Sequence, residues 1–394
     1  MIRKFRDTKD NEQAIELSEL CYHESKENFI KFFKEIKEID LIGIFEDDIL
    51  LAAAGSHKFK MFVRNQIFSC SGIGYVMTHP KSRRKGYVKQ LMNQLMKEKK
   101  DEGDEISALW PFRHSFYQKF GYENCDKTIT YKFSPSNIKP VFKIGADISI
   151  DDITESNDFT SLNQVAENAL NKYTRIIGDK DAWLLRGRAQ ASFKIYLIKR
   201  KNIPIAYISF KFRDLSEWEH DLIIIDLAFI DIEAKKTIFA FLRNFEADIR
   251  HIFIKIPYEE EMESYLINSV GDHKFNQWPG MVRILDVKKC LEKLIYPPTI
   301  NTELYFKLKD DIITENTGVW KLNIKDTKCS AQKVNENSIE SINVLDFTIN
   351  QLTQVFIGKS RIERIFELEL SKVPKEWLNT NLFPEVPCAL MIDF

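Results

Sequence analysis

The run from Phe68 to Lys100 restricts the fold more than any other part of the chain. Phe68 to Thr78 is strand-like and stops at His79-Pro80, where proline would remove a ladder donor. A short basic loop, Lys81-Ser-Arg-Arg-Lys-Gly86, follows at once. Val88 to Lys100 then carries apolar residues at 88, 91, 92 and 95, the period of a helix packed on a sheet. Free N–H groups and the positive dipole end of such a helix make an anion site. Gly86 permits close backbone approach to a phosphate, and Arg83, Arg84 and Lys85 supply positive charge. On chemistry alone the run reads equally well as a pyrophosphate site or as a solvated basic turn.

The rest of the chain extends this α/β pattern. Residues 12–37 read as an amphipathic helical region, and Leu41 to Phe45 and Ile49 to Ala53 as strands about an Asp-Asp turn. Ile106 to Leu109 is a short strand, Phe116 to Gly121 a helix with a glycine cap, and Thr128 to Phe133 a final strand. Ser134-Pro to Pro140 marks a boundary. A similar order then recurs, with strands at 148–150, 193–199, 203–212, 222–229 and 251–256 and helices near 158–171 and 232–248. No glycine-rich turn follows 222–229, so this half reads as a degenerate copy. After Trp278-Pro-Gly280 come strands at 281–285, 303–308 and 318–324 and helices near 287–294, 343–357 and 360–370.

A second chemical signal is Trp110-Pro-Phe-Arg-His-Ser-Phe-Tyr-Gln-Lys-Phe-Gly-Tyr122, where Tyr117 stands four residues before Gly121. In isolation Phe116-Tyr117 reads as core aromatics. A third is the ending Phe383 to Phe394, an apolar, strand-like run broken only by Asp393. Most C-termini are polar and frayed. Burying an α-carboxylate is costly unless it has a partner or a task.

These residues resemble a known family. The basic loop is similar to motif A of the GNAT N-acetyltransferases, with Arg83 and Gly86 at its first two fixed positions. Val88 replaces the usual small residue at the third, as in the enhanced intracellular survival (Eis) branch. Tyr117 and Gly121 resemble motif B, and Asp393-Phe394 matches the acidic-Phe ending of the Eis branch. The resemblance implies an α/β (α+β) fold: tandem GNAT folds, mixed sheets flanked by helices, then a sterol-carrier-protein-like α+β domain. The corresponding domains are 1–135, 136–284 and 285–394.

The resemblance also implies acetyl-CoA as co-substrate and a reaction by direct attack of an amine. Backbone groups of Val76, Met77 and Thr78 would hold the pantetheine arm, and an edge amide there would polarise the thioester oxygen. Arg84, Lys85, Gly86, Tyr87, Val88 and Lys89 would hold the pyrophosphate, with Phe112 and Arg113 beside the pantetheine. Tyr117 would be the general acid. A phenol of pKa about 10 can reprotonate a thiolate whose conjugate acid has pKa about 8.5 at modest cost. The terminal carboxylate of Phe394 would be the general base. A carboxyl of pKa about 3.5 cannot take a proton from a free ammonium near 10, so either burial brings the two together or transfer occurs as the attacked nitrogen becomes acidic. Asp393 would raise that carboxyl and attract a cationic substrate, while Glu24 and Glu27 are further substrate-facing candidates. His114 is an alternative base, though a lone His near a loop is usually structural.

Composition sets the outer limits. Lys+Arg 57 against Asp+Glu 58 gives a net charge of -1, which argues against an electrostatically driven nucleic-acid binder. The six cysteines show no metal-ligand spacing, so no metal is expected, and their scatter fits a reducing cytoplasm. The most apolar stretch, Leu222 to Ile230, is interrupted by Asp226 and far too short for a bilayer, so no membrane partner is expected either. The expected acceptor is a small-molecule or lysine amine of an aminoglycoside, polyamine or protein, and the resemblance suggests a homo-oligomer, a hexamer. The competing reading is a non-catalytic CoA- or lipid-binding protein, which would need neither Tyr117 nor a free terminus.

Overall fold

The computed structural model describes residues 1–23, 26, 27, 30, 39–156, 159–170, 175–177, 193–268, 272–275, 279–336 and 344–390. In chain order the first elements are β1 (Ile2–Lys4), α1 (Thr8–Tyr22), β2 (Asp40–Glu46), β3 (Ile49–Val63), β4 (Gln66–Thr78) and α2 (Tyr87–Asp101). β5 (Ile106–Leu109), α3 (His114–Gln118) and β6 (Glu123–Asn124) follow. Then come β7 (Thr128–Phe133), β8 (Ile148–Asp152), α4 (Thr160–Glu167), β9 (Arg175–Ile177), β10 (Phe193–Arg200), β11 (Ile203–Asp214) and β12 (His220–Phe229). α5 (Ile232–Arg243), β13 (Ile249–Pro257) and β14 (Asp272–Phe275) complete that stretch. The remainder holds β15 (Met281–Ile284), α6 (Val287–Lys293), β16 (Thr302–Lys309), β17 (Gly318–Lys325), β18 (Lys328–Val334), β19 (Val344–Thr348) and α7 (Ile349–Ile357).

The chain forms two compact units, Met1–Cys125 with Trp278–Val386, and Asp126–Gln277 with Pro387–Asp393. The main sheet of the first unit runs β1-β2-β3-β4-β5-β15-β6, and only its β4-β5 pair is parallel. The sheet of the second unit runs β8-β10-β11-β12-β13-β7-β14, again with one parallel pair, β12-β13. The two orders match position for position. β7, read from the sequence as the last strand of the first domain, pairs with β13 and β14, while β15 closes the first sheet. Alternating apolar residues make each segment a strand, but they do not state which sheet edge receives it. Within the first unit a further sheet runs β18-β17-β16-β19, and Phe306, Trp320, Phe347 and Trp377 fill one side of it.

Local chemistry explains most elements. Asp7 caps α1 by accepting from the Asp10 N–H, and His23 ends the helix in the left-handed region at φ 58. The Asp47-Asp48 and Arg64-Asn65 turns each hold two successive positive φ angles, as two-residue hairpins require. Leu91, Met92, Leu95 and Met96 of α2 are fully buried, so the helix sits on the sheet along the stripe read from the sequence. One reading fails. Residues 344–348 form a strand rather than the start of a helix, because Leu345 and Phe347 alternate with exposed Asp346 and Thr348. The helix begins only where Thr348 and Gln351 close a capping box.

Two buried charges test this packing. Arg283 of β15 and Asp310 are fully buried and bonded through both guanidinium-carboxylate contacts, 2.7 and 2.6 Å. Asp310→Ala should cost about 3–5 kcal/mol in urea unfolding, and Arg283→Met with Asp310→Leu together should cost less than either alone. Asp104 lines a cavity of about 380 Å³ with Asp40, Ser56, Lys58, Lys99 and Glu102. Burial pushes its carboxyl up to about 6. Its stabilising contribution is therefore full below about pH 4 and lost as pH rises through about 6. Asp104→Asn should gain roughly 1–2 kcal/mol at pH 8, once solvent screening is allowed for, and little at pH 4.

Candidate active site

The site begins where β4 leaves β5. The two strands pair from Cys70-Ile106 to Ile73-Leu109, so Gly74 to Thr78 run past the last registered pair of the β4-β5 ladder. On its other side β4 stays paired with β3, but with a bulge. Gly55 faces Gly74 and Ala53 faces Met77, leaving Tyr75 and Val76 together opposite Ala54. Tyr75 takes φ 52, a conformation costing about 1–3 kcal/mol for a non-glycine residue. Gly55 makes room for it, since a Cβ there would stand 3.0 Å from the Tyr75 ring. The Val76 backbone lies near the Tyr22 phenol at the end of α1. Side chains on either side of the bulge go to opposite faces. Tyr75 and Met77 pack with α1, and Val76 packs with α2 and Tyr117.

Past β4 the chain turns at Pro80–Ser82 and enters the basic loop, where Arg84 takes φ 65 and Gly86 φ 79. α2 starts with no side-chain cap from Gly86, and its first turn closes with the Gln90 N–H on the Gly86 carbonyl. The leading N–H groups therefore face outward. Arg83, Arg84, Lys85 and Lys89 are exposed and have no ion pair among the described residues. A Cβ at Gly86 would meet nothing within 4 Å, so its glycine is set by φ and leaves the space before the helix open. This combination suits a pyrophosphate. Tyr87 and Val88 are half-buried against the core, so Val88 anchors the helix start. The matching helix of the second unit differs decisively. Asp231 caps α5 by accepting from Ala234 and pairs with Arg200, so a carboxylate already takes the place an anion would use.

Tyr117 lies on α3, only 3 % exposed, with the rings of Phe112, Phe116 and Tyr122 around it. Burial pushes its phenol well above the usual tyrosine range, helped by the nearby phenols of Tyr22 and Tyr122. Phe112 stands open at 63 % exposure, 5.4 Å from the Tyr117 ring centroid, and Arg113 is exposed in extended backbone before the helix. His114 bonds the Pro279 carbonyl at 3.0 Å through Nε2, which makes it a structural donor. Arg283 bonds the Phe120 carbonyl just beyond, under the left-handed Gly121. Val76, Met77, Thr78, the basic loop, Phe112, Arg113 and Tyr117 thus belong to one sheet and the helices on it. Glu27 is exposed, while Glu24, Asp393 and Phe394 lie outside the described residues. Cys388, Ala389 and Leu390 just before them are buried, with the Lys127 N–H on the Cys388 carbonyl.

Sequence reasoning did not single out Tyr75, Tyr22 or His57. His57 on β3 is 3 % exposed and its Nε2 lies 3.3 Å from the Tyr75 hydroxyl. Burial lowers its pKa to about 4. A histidine inside a strand was the available signal. The bulge that brings it a partner left none.

Residues 2–125 match the family described as the acetyltransferase (GNAT) domain. The N-terminal part of the chain is a GNAT acetyltransferase domain. Residues 287–382 match the sterol carrier protein domain. Among the curated proteins none matches the chain. The solved structure of a GCN5-related N-acetyltransferase from Anabaena variabilis is similar over 100% of both chains, with a TM-score of 0.85 at 19% identity. A probable N-acyltransferase from Enterococcus faecalis is similar over 100% of this chain and 99% of that one, at 0.82 and 16%. Eis1 from Mycobacterium abscessus is similar over 100% of both, at 0.78 and 15%. At these identities the likeness shows the fold, tandem GNAT folds followed by a sterol-carrier-type domain. The GNAT domain makes the protein an acyltransferase, and the fold as a class takes acetyl-CoA. No helix among the described residues is long and apolar enough to cross a membrane.

Replacing Arg83, Arg84 and Lys85 together by Gln should weaken CoA binding about tenfold at low salt, at roughly 0.5 kcal/mol for each exposed contact. Isothermal titration should show the gap closing as salt rises.

Proposed function

We propose that the protein transfers acetyl from acetyl-CoA to a primary amine of a cationic acceptor, an aminoglycoside-like molecule, a polyamine or a lysine. The observation that carries this reading is the bulged, half-unpaired edge of β4, set between the uncapped start of α2 and the buried Tyr117. In this reading the outward N–H groups of Gly86 to Lys89 and the basic loop hold the pyrophosphate. The free edge of Val76, Met77 and Thr78 holds the pantetheine, with Phe112 and Arg113 alongside. The Val76 N–H donates to the thioester oxygen and stabilises the charge it gains as the amine adds to the carbonyl carbon.

Collapse of that adduct breaks the carbon–sulfur bond, and Tyr117 gives its proton to the leaving sulfur. Its raised pKa keeps it protonated and ready to donate. The nitrogen's proton goes to the terminal carboxylate of Phe394, beside Asp393. Cys388 to Leu390, just before these residues, are buried and bonded by Lys127 and Lys255. By resemblance to the Eis branch the reading includes a homohexamer, and a reducing cytoplasm suits its free cysteines.

Thiol release from acetyl-CoA with a panel of amines tests the reading. Wild type should acetylate, and Tyr117→Phe and a chain lacking Phe394 should bind CoA normally and lose at least about 100-fold in kcat, the usual scale of acid–base catalysis. Full activity in both variants would refute these two assignments. Lipid binding without any acetylation would favour the non-catalytic reading.

A further inference from the structure

The end of α2 away from Gly86 opens on the polar cavity of about 380 Å³, which acetyl transfer does not use. The helix has 15 residues, so at about 1.5 Å rise per residue the cavity lies roughly 20 Å from the open start at Gly86. Ala52 and Ala54 of β3 pack against α2, and strand alternation puts Ser56 and Lys58 on that same face. After α2 the chain turns at Gly103, φ 102, and the Asp104 N–H bonds the Lys99 carbonyl at 2.9 Å. This turn holds Asp104 against the helix end. Ser56 at 3 % exposure and Asp104 at 6 % both line the cavity, while Asp40 and Glu102 are more open.

The charges around it do not all find partners. Buried Lys99 bonds the Asp40 and Glu102 carboxylates, and Lys4 lies 3.5 and 3.8 Å from the same two groups. Asp104 is left over. Lys99, Lys58, Glu102 and Glu105 act on its carboxylate only through space. Among the described residues neither that carboxylate nor the Ser56 hydroxyl has a hydrogen bond or an ion pair. Buried polar groups in this condition call for a ligand that supplies donors.

The class of ligand follows from charge and donor count. An anion would meet the Asp104 carboxylate and the negative end of the α2 dipole. A metal ion needs several converging ligands, and among the described residues no three His, Cys, Asp or Glu side chains are so placed. An ammonium brings three N–H donors and a charge that a helix C-terminus favours. Lys99 already shows that chemistry, with one ammonium held between two of the three carboxylates. We propose that this cavity binds a small organic ammonium, with the Asp104 carboxylate and the Ser56 hydroxyl accepting its N–H groups. The site is separate from acetyl transfer and stands or falls without it. It also gives a reason for a carboxylate that costs stability when ionised, since a bound ammonium offsets that cost.

Binding should follow the ionisation of Asp104. Burial pushes its carboxyl up to about 6, so the acceptor is mostly protonated at about pH 5 and ionised at about pH 7.5. The neighbours hold their charge over that range. Burial raises Asp40, but Lys99 and Lys4 outweigh it and keep it below the usual carboxylate range. His57, also at the cavity wall, is lowered to about 4 by burial and stays neutral.

Calorimetric titration of putrescine into the full chain without CoA tests the site. Wild type should bind it about tenfold more tightly at about pH 7.5 than at about pH 5, and should not bind butanediol, its uncharged counterpart. Asp104→Asn should lose about tenfold or more in affinity, together with the pH dependence, and Ser56→Ala about threefold. CoA affinity within about twofold of wild type reports that both variants fold. Putrescine bound equally well by Asp104→Asn overturns the assignment, because the amine would then sit elsewhere. Absence of binding to wild type, or butanediol binding as tightly as putrescine, overturns it too. Displacement of putrescine by an equal concentration of magnesium chloride would assign the cavity to a metal ion instead.

Discussion

Arg283 is the interaction on which the first unit depends. A fully buried guanidinium is costly unless it is paired, and this one reaches the Asp310 carboxylate and the Phe120 carbonyl through its two terminal nitrogens, while its Nε has no partner among the described residues. Asp310 is itself bonded by the N–H groups of Ile312 and Ile313 and by Asn316. The network therefore ties the strand that closes the first sheet, the end of the Tyr117 helix and the loop after β16. Gly121 must lack a side chain because a Cβ there would stand 2.7 Å from the Arg283 guanidinium. The glycine that marks motif B in the sequence thus has a packing reason supplied from far along the chain.

The same reasoning separates the two related sheets. Both carry one parallel pair followed by a helix, so both have the frame for an anion site. In the first, Gly86 leaves the helix start open and the neighbouring cations unpaired among the described residues. In the second, Asp231 fills that start and Arg200 neutralises it. A capping carboxylate stabilises its helix and removes the vacancy an anion needs. The two helix starts thus differ in what occupies one N-cap, glycine in the first unit and a paired aspartate in the second.

Much of this was legible from local chemistry. The α2 stripe, the Asp47-Asp48 turn and the uncapped Gly86 follow from periodicity and from what each residue can do alone. Strand partners were not legible, because Thr128 to Phe133 and Met281 to Ile284 have equally good strand patterns and no local feature says where they pair. Residues 344–348 were read as helix because the adjoining Ile349 to Ile357 pattern swamped a short alternation. The Tyr75 bulge was hidden for a different reason. Its left-handed angle is imposed by pairing with β3, and the residue there is neither glycine nor asparagine. His57 gained meaning only once that bulge placed a hydroxyl beside it.

The central claim is that the parted edge of β4 is where acyl transfer occurs, with the open helix start as its anchor. A crystal structure with acetyl-CoA bound tests it most directly. The thioester oxygen should accept from the Val76 N–H, with the sulfur beside the Tyr117 hydroxyl and the pyrophosphate on the N–H groups of Gly86 to Lys89. Acetyl-CoA bound with its pyrophosphate away from that loop, or with its thioester oxygen away from the Val76 N–H, would contradict the account.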